Sequence, residues 1–215
     1  MPNWCNNNIE IIGPKAKVDK LIEGAKKGEF CNTLYPMPKA LEDTQNTSDD
    51  EVMKKQPVVD GHNNWYDWRV ENWATKWDVD IYEGSIQEQE ELFGPDDGDK
   101  RVTFGFDSAW APPLGAYEHY LSNNSDMSIR AVYYEPGCDF MGVWEDMDDR
   151  CYQCSEDGPK SDSPFWDTED GKLIDDYMGC VERLIEYEAE QEQDRLNEDV
   201  YKYSKGEKVN IGEDA

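Results

Sequence analysis

The chain has 215 residues, 49 of them acidic and 21 basic, for a net charge of −28 at neutral pH. Such a surplus repels phosphate backbones and anionic lipid, which excludes naked DNA, RNA and anionic membrane surfaces as direct partners. A mean hydropathy of −0.93 stands beside 12 % aromatic residues, enough apolar material for a folded core and too much for an acidic disordered tail.

In chain order, residues 8–12 (Asn-Ile-Glu-Ile-Ile) read as a short strand ending at Gly13-Pro14. Val18, Leu21, Ile22 and Ala25 then recur at helical spacing, with Pro14 to open a helix and Gly28 to close it. Pro36 and Pro38 argue against both a helix and a central strand over 30–38, so an irregular segment anchored by Phe30, Leu34 and Tyr35 is expected. Residues 42–64 are polar and acidic and read as a long exposed loop.

Residues 65–77 hold four of the eight tryptophans. Asn63 or Asn64 offers an N-cap, and Trp65, Trp68 and Trp73 share one helical face. Each ring buries roughly 150–250 Å² on packing, so burial is favoured over stacking on bases. Arg69 and Lys76 are expected to pair with Asp67, Glu71 or Asp78. From Trp77 the pattern alternates, with Trp77, Val79 and Ile81 on one side and Asp78, Asp80 and Tyr82 on the other, which predicts a half-buried strand.

Residues 87–93 suggest a short helical turn, and Gly94-Pro95-Asp96-Asp97-Gly98-Asp99 a sharp reversal. Residues 101–107 form the next strand. Pro112-Pro113 then allow a helix to begin, with Leu114, Tyr117, Tyr120 and Leu121 on its apolar face. A strand over 128–134 follows, and residues 140–144 can pair back on it through Pro136-Gly137.

Strand, helix, strand, strand, helix, strand is the order of an α+β, ferredoxin-like split βαβ fold: an antiparallel sheet with helices on one face, here with an inserted Trp-rich helix. Several motifs carry a family resemblance: Met1-Pro2-Asn3-Trp4-Cys5-Asn6-Asn7, Leu34-Tyr35-Pro36-Met37-Pro38, Trp65-Tyr66-Asp67-Trp68-Arg69-Val70-Glu71-Asn72-Trp73-Ala74-Thr75-Lys76-Trp77, Ser108-Ala109-Trp110-Ala111-Pro112-Pro113 and the segment 134–142. Together they resemble the YubB-type ferredoxin-like family of phage and plasmid proteins, over residues 1–145. The resemblance implies that fold and a mobile-element setting, and no activity. Ala74 departs from it, standing where glycine is expected.

Domain 1–145 is followed by an acidic extension, 146–215. Residues 135–199 carry 22 acidic and 5 basic side chains, a net of −17. Leu173, Ile174, Tyr177, Val181, Leu184 and Ile185 recur at helical spacing and predict a long helix over about 172–199, with Glu182, Glu186, Glu190, Asp194 and Glu198 opposite them.

Signals for chemistry are sparse. His62 and His119 have no partner at a telling spacing, and the sequence contains no nucleophile elbow, phosphate-binding loop or HExxH motif. No enzyme activity and no cofactor are expected. Cys151-Tyr152-Gln153-Cys154 has zinc-knuckle spacing, and Cys138 and Cys180 would complete a four-thiolate site, but no second CxxC exists and free thiols are the expectation. Asp96-Asp97-Gly98-Asp99 and residues 167–171 lack EF-hand spacing. No apolar run approaches the roughly 18–20 residues that span a bilayer, and the N-terminus lacks a basic-then-apolar leader, so a cytoplasmic protein is expected.

The charge is therefore the strongest clue. Duplex DNA carries one charge per roughly 1.7 Å of axis, so 28 charges correspond to about 48 Å of duplex. The leading expectation is a non-enzymatic, DNA-mimic-like inhibitor of a host defence or DNA-processing protein. It would bind through Glu182, Glu186, Glu190, Asp194 and Glu198, supported by Asp146, Asp148 and Asp149. Two alternatives stand beside it. One is a small-molecule or peptide-binding module, or cryptic enzyme, with a pocket between sheet and Trp helix lined by Trp110, Tyr117 and His119. The other is a zinc-stabilised adaptor.

Overall fold

Strand β1 (Trp4–Pro14) runs for eleven residues, well beyond the 8–12 predicted, because both of its edges are taken. It pairs antiparallel with β3 (Asp99–Ala109) from Trp4↔Ala109 to Pro14↔Asp99. On the other edge lies β4 (Ser128–Glu135), from Asn6↔Tyr134 to Ile12↔Ser128. Ladders on both edges of Asn6-Asn7-Asn8 outweigh the low strand propensity of these residues. The computed structural model describes residues 2–90, 92 and 98–205, and the expected turn at 94–97 lies outside them.

The fold is α+β. Its sheet has six strands in the order β2 (Gln87–Glu90), β3, β1, β4, β5 (Phe140–Glu145), β6 (Asp148–Tyr152), with antiparallel pairing throughout. Strands β5 (Phe140–Glu145) and β6 (Asp148–Tyr152) extend it beyond β4. The chain divides into two units, Met1–Ser155 and Glu156–Ala215, so β6 stands with the sheet although the boundary expected at 145 separates it from β5.

Alternation sorts the sheet's two faces. Cys5, Ile9 and Ile11 of β1, Val102, Phe104 and Phe106 of β3, and Ile129, Ala131 and Tyr133 of β4 are buried together. Helices supply the rest of this core: Val18, Leu21, Ile22 and Ala25 from α1 (Lys15–Lys26), and Ala116 and Tyr117 from α5 (Leu114–Ser122).

The segment at 30–38 is more regular than expected, since a one-turn helix, α2 (Phe30–Leu34), precedes its prolines. Asp78 explains how. Its carboxylate accepts the Cys31 N–H at 2.8 Å and the Asn32 N–H at 2.9 Å, groups that so short a helix leaves without backbone partners. The loop at 42–64 likewise contains one turn, α3 (Asp50–Met53), whose N-cap side chain is Asp49.

The tryptophan-rich helix α4 (Trp65–Trp73) begins as predicted, with the Asn64 side chain accepting the Asp67 N–H at 2.9 Å. Trp68 and Trp73 are buried, and the Trp73 indole N–H donates to the Tyr35 carbonyl at 2.8 Å. Arg69 does not form the carboxylate pair expected of it. Its guanidinium lies over the rings of Trp65 and Trp73, 5.3 and 4.8 Å from their centroids, an arrangement that suits a planar cation among indoles.

Two predicted elements are corrected. Residues 77–82 form no strand, only an isolated bridge between Ile81 and Phe106, because Asp78 turns to cap α2 and its Oδ1 also takes the Val79 N–H. The strand is β2 (Gln87–Glu90), in place of the expected helical turn. Its charged Gln-Glu-Gln-Glu edge pairs with β3, Glu88 meets the buried ammonium of Lys100, and the exposed acids protect a sheet edge from pairing with other chains.

The predicted long helix is two helices, α6 (Glu169–Met178) and α7 (Cys180–Ser204). Gly179, at φ 61°, ends the first in the left-handed conformation. Arg183 then donates to the Met178 carbonyl at 2.6 Å. Among the described residues no helix is long and apolar enough to cross a membrane.

Ala74 caps α4 at φ 69°, a left-handed conformation that glycine adopts without a side-chain clash. A side chain in this conformation costs about 1–2 kcal/mol, so Ala74→Gly is predicted to raise unfolding stability by about 1 kcal/mol in urea titration. Trp68→Ala, which empties a buried site, is predicted to lower it by about 3–5 kcal/mol.

Candidate functional sites

The acidic candidates fall into two groups with different local chemistry. In the sheet unit, Asp146 and Met147 form a two-residue hairpin turn with left-handed backbone at both positions, φ 45° and 81°. The Asp146 carboxylate is occupied, accepting the Ile129 N–H and the Ser128 hydroxyl, each at 3.0 Å. Asp149 accepts the Tyr133 hydroxyl at 2.6 Å, and Asp148 pairs with Arg150 at 3.0 Å. These three serve the sheet's own geometry.

On α7, Glu182, Glu186, Glu190, Asp194 and Glu198 are all exposed. At about 100° and 1.5 Å per residue, this i, i+4 row rises about 6 Å and drifts about 40° per step, so it winds around the helix and is not straight. A second row, Val181, Ile185, Ala189, Glu192, Leu196 and Val200, keeps within about 100° of arc by the same geometry. Ile185, Leu196 and Val200 are 54, 47 and 70 % exposed. The helix is thus amphipathic, with an exposed apolar stripe beside its carboxylates. Glu188 differs from the rest: it accepts the Ser161 N–H and hydroxyl at 2.9 and 2.6 Å.

The four cysteines proposed for zinc fall in different units, Cys138, Cys151 and Cys154 in the first and Cys180 in the second. No group of three or more histidine, cysteine or acidic side chains able to hold a metal ion occurs among the described residues. Cys151 is exposed on β6, and Cys138 is exposed beside Asn3 and Glu135. Cys180 is buried in the second unit, where burial pushes its thiol up to about 11.

Trp110, Tyr117 and His119 have three different surroundings. Tyr117 is a core side chain whose hydroxyl has no partner. His119 stacks face to face on Tyr35, ring centroids 3.5 Å apart, and burial lowers its pKa. Trp110 belongs to an aromatic cluster with left-handed backbone at φ 69°. Beside it the Lys76 ammonium lies 4.5, 5.5 and 5.8 Å from the ring centroids of Trp77, Tyr66 and Trp110.

A cleft of about 460 Å³ opens by Trp4, Trp77, Asp78, Asp80, Tyr82 and Asp107. Register builds it. The pairings Trp4↔Ala109 and Asn6↔Asp107 set Trp4 and Asp107 on the sheet face opposite the buried Cys5. Residues 77–82 run along the edge of β3 beyond β2, tied by the Tyr82 N–H to the Gly105 carbonyl at 2.8 Å. Gly105 is required here, since a Cβ would stand 2.8 Å from the Tyr82 ring. Asp107 Oδ1 accepts the Tyr82 hydroxyl and the Asn6 amide, both at 2.5 Å. Burial, then Asp107, push the Tyr82 phenol above its ordinary range.

Sequence reasoning missed this cleft. The available signal was the polar side of the alternation, Asp78, Asp80 and Tyr82, which a half-buried strand turns towards solvent.

No family model matches the chain, and no curated protein matches it. Among solved structures it is similar to the crystal structure of a protein api92 from Yersinia pseudotuberculosis, family-model DUF1281. The two share 11 % identity at a TM-score of 0.35, over 71 % of this chain and 98 % of that one. A likeness at this level identifies neither a family nor an activity.

The lowered pKa of His119 sets a direction for stability. On acidification the unfolded chain takes up this proton first, so the contribution is intact above the ordinary value near 6.5 and is lost as pH falls below it. His119→Phe is predicted to flatten that part of the stability profile between pH 7 and 5, measured by urea titration against the parent chain.

Proposed function

We propose that this chain is a non-enzymatic interaction protein that engages a basic, nucleic-acid-binding partner through α7, as an inhibitor of a host defence or DNA-processing protein. The observation that carries the reading is the pairing on α7 of an exposed apolar stripe with a flanking row of carboxylates. A merely solvated acidic face accounts for the acids and leaves Ile185, Leu196 and Val200 in water unexplained, whereas a protein groove with a basic rim fits both.

Point-by-point imitation of duplex is not what α7 offers. Its 25 residues span about 37 Å, a length over which duplex carries about 22 charges, against eight acidic and three basic side chains on the helix. The net charge of −28 acts by long-range steering, which raises the encounter rate with a basic surface and weakens with salt.

The strand order β2-β3-β1-β4, with α1 and α5 as crossovers, supports a ferredoxin-like core extended by β5 and β6, in keeping with the YubB-type resemblance of the motifs. That resemblance is the basis for a phage or plasmid setting.

The test is affinity capture from bacterial lysate at low salt, followed by association kinetics with the recovered protein. The expected partner is basic and is released by competing duplex DNA. Ile185→Asp with Leu196→Asp is predicted to weaken binding at least tenfold, and lysine at 182, 186, 190, 194 and 198 to slow association and flatten its salt dependence. Capture that survives both sets of changes, or ignores duplex DNA, would falsify the reading.

A further inference from the structure

The cleft beside β3 has features that packing does not explain. Trp4 follows the sheet register, yet its indole is 48 % exposed while its neighbour Cys5 is fully buried. Its ring partner is Trp77, with centroids 6.0 Å apart and planes 29° from parallel. Indoles left partly in water at a concave surface are typical of ligand walls.

The polar wall is already ordered. Asp107 is held by Asn6 and Tyr82 through the same oxygen, Oδ1, so its position does not depend on a ligand. Asp80 is exposed at the cleft. Asp78 plays a different part: three backbone N–H groups occupy its oxygens, and it contributes charge without a free coordinating edge.

Three carboxylates and two indoles, with no basic side chain among the lining residues, select a cation and reject an anion. The cation is organic, since no metal-holding group of acidic, histidine or cysteine side chains occurs among the described residues. Aromatic faces attract ammonium and guanidinium groups; the Lys76 ammonium already lies 4.5 Å from the Trp77 ring, and the half-exposed Trp4 ring is the face left open to a ligand.

We propose that this cleft binds a single guanidinium or alkylammonium head, stacked on the Trp4–Trp77 wall and hydrogen-bonded to Asp107 and Asp80. A volume of about 460 Å³ falls in the range of small-ligand sites and admits the head with its alkyl stem. The site is independent of the α7 reading, since it uses other residues in the other unit.

Isothermal titration of the full chain at 0.15 M salt tests it, with ethylguanidinium, its neutral analogue ethylurea and the blocked peptide acetyl-Gly-Arg-Gly-amide as probes. Ethylguanidinium is expected to bind at one site at least tenfold more tightly than ethylurea. Asp80→Asn with Asp107→Asn is expected to remove at least tenfold of that affinity. Trp4→Ala, at a half-exposed position where the fold tolerates the change, is expected to remove at least fivefold. A chain with α7 charge-reversed is expected to bind within twofold of the parent, so failure of the α7 reading leaves this result standing. Peptide binding at least tenfold tighter than ethylguanidinium assigns the head to an arginine of a protein, and equal binding assigns it to a free small cation; both support the site. Equal affinity for ethylurea overturns the proposal, as does parental affinity in both cleft variants, or loss in the α7 variant alone, which would mark diffuse charge attraction.

Discussion

The sheet unit depends on aromatic burial dense enough to hold a self-repelling chain together. Phe30 stands at its centre, 5.1 Å from Phe104, 5.9 Å from Phe106 and 6.4 Å from Tyr117, and so links α2, β3 and α5. A second set of rings centres on Tyr35, which meets Trp68 at 5.0 Å and His119 at 3.5 Å, and Trp68 meets Trp73 at 5.8 Å. Rings of this size concentrate apolar burial in few residues, which leaves the remaining surface free to be acidic.

The scarce basic side chains are placed where they order the fold. Lys100 is buried between Asp19 and Glu88, Arg130 joins Glu10 at 2.8 Å, Arg183 caps α6, and Arg69 and Lys76 lie over indoles. Each of these five cations is thereby engaged inside its own unit. The uncompensated carboxylates remain outward, and the long-range field of the molecule is negative as a consequence and not as a local accident.

Two surfaces then differ in kind. The α7 surface is extended and amphipathic, and in the function proposed above it engages a protein partner, with affinity from apolar contact and speed from charge. The cleft is small and pre-ordered and suits a single cationic head. Asp78 shows how one carboxylate serves both structure and site: by capping α2 it diverts residues 77–82 from the sheet ladder, and that diversion opens the cleft along β3.

Local pattern determined much of this protein. Helices α1, α4 and α5, strands β4 and β5 and a cap at Asn63 or Asn64 are legible because each rests on near neighbours in sequence: apolar periodicity and capping side chains. Tertiary structure alone decided the rest. Residues 77–82 carry a strand's alternation and are not a strand, because Asp78 finds the N–H groups of Cys31 and Asn32, 47 and 46 residues earlier. Gln87–Glu90 lacks strand propensity and becomes one, because β3 offers an open edge and Lys100 a partner for Glu88. The acids at 182–198 were visible in sequence, but the exposed stripe beside them emerges only when the break at Gly179 sets the start and phase of α7. The cleft was invisible because it joins Trp4, Asp80 and Asp107 from three distant segments, and such convergence is a property of strand register that composition and spacing do not contain.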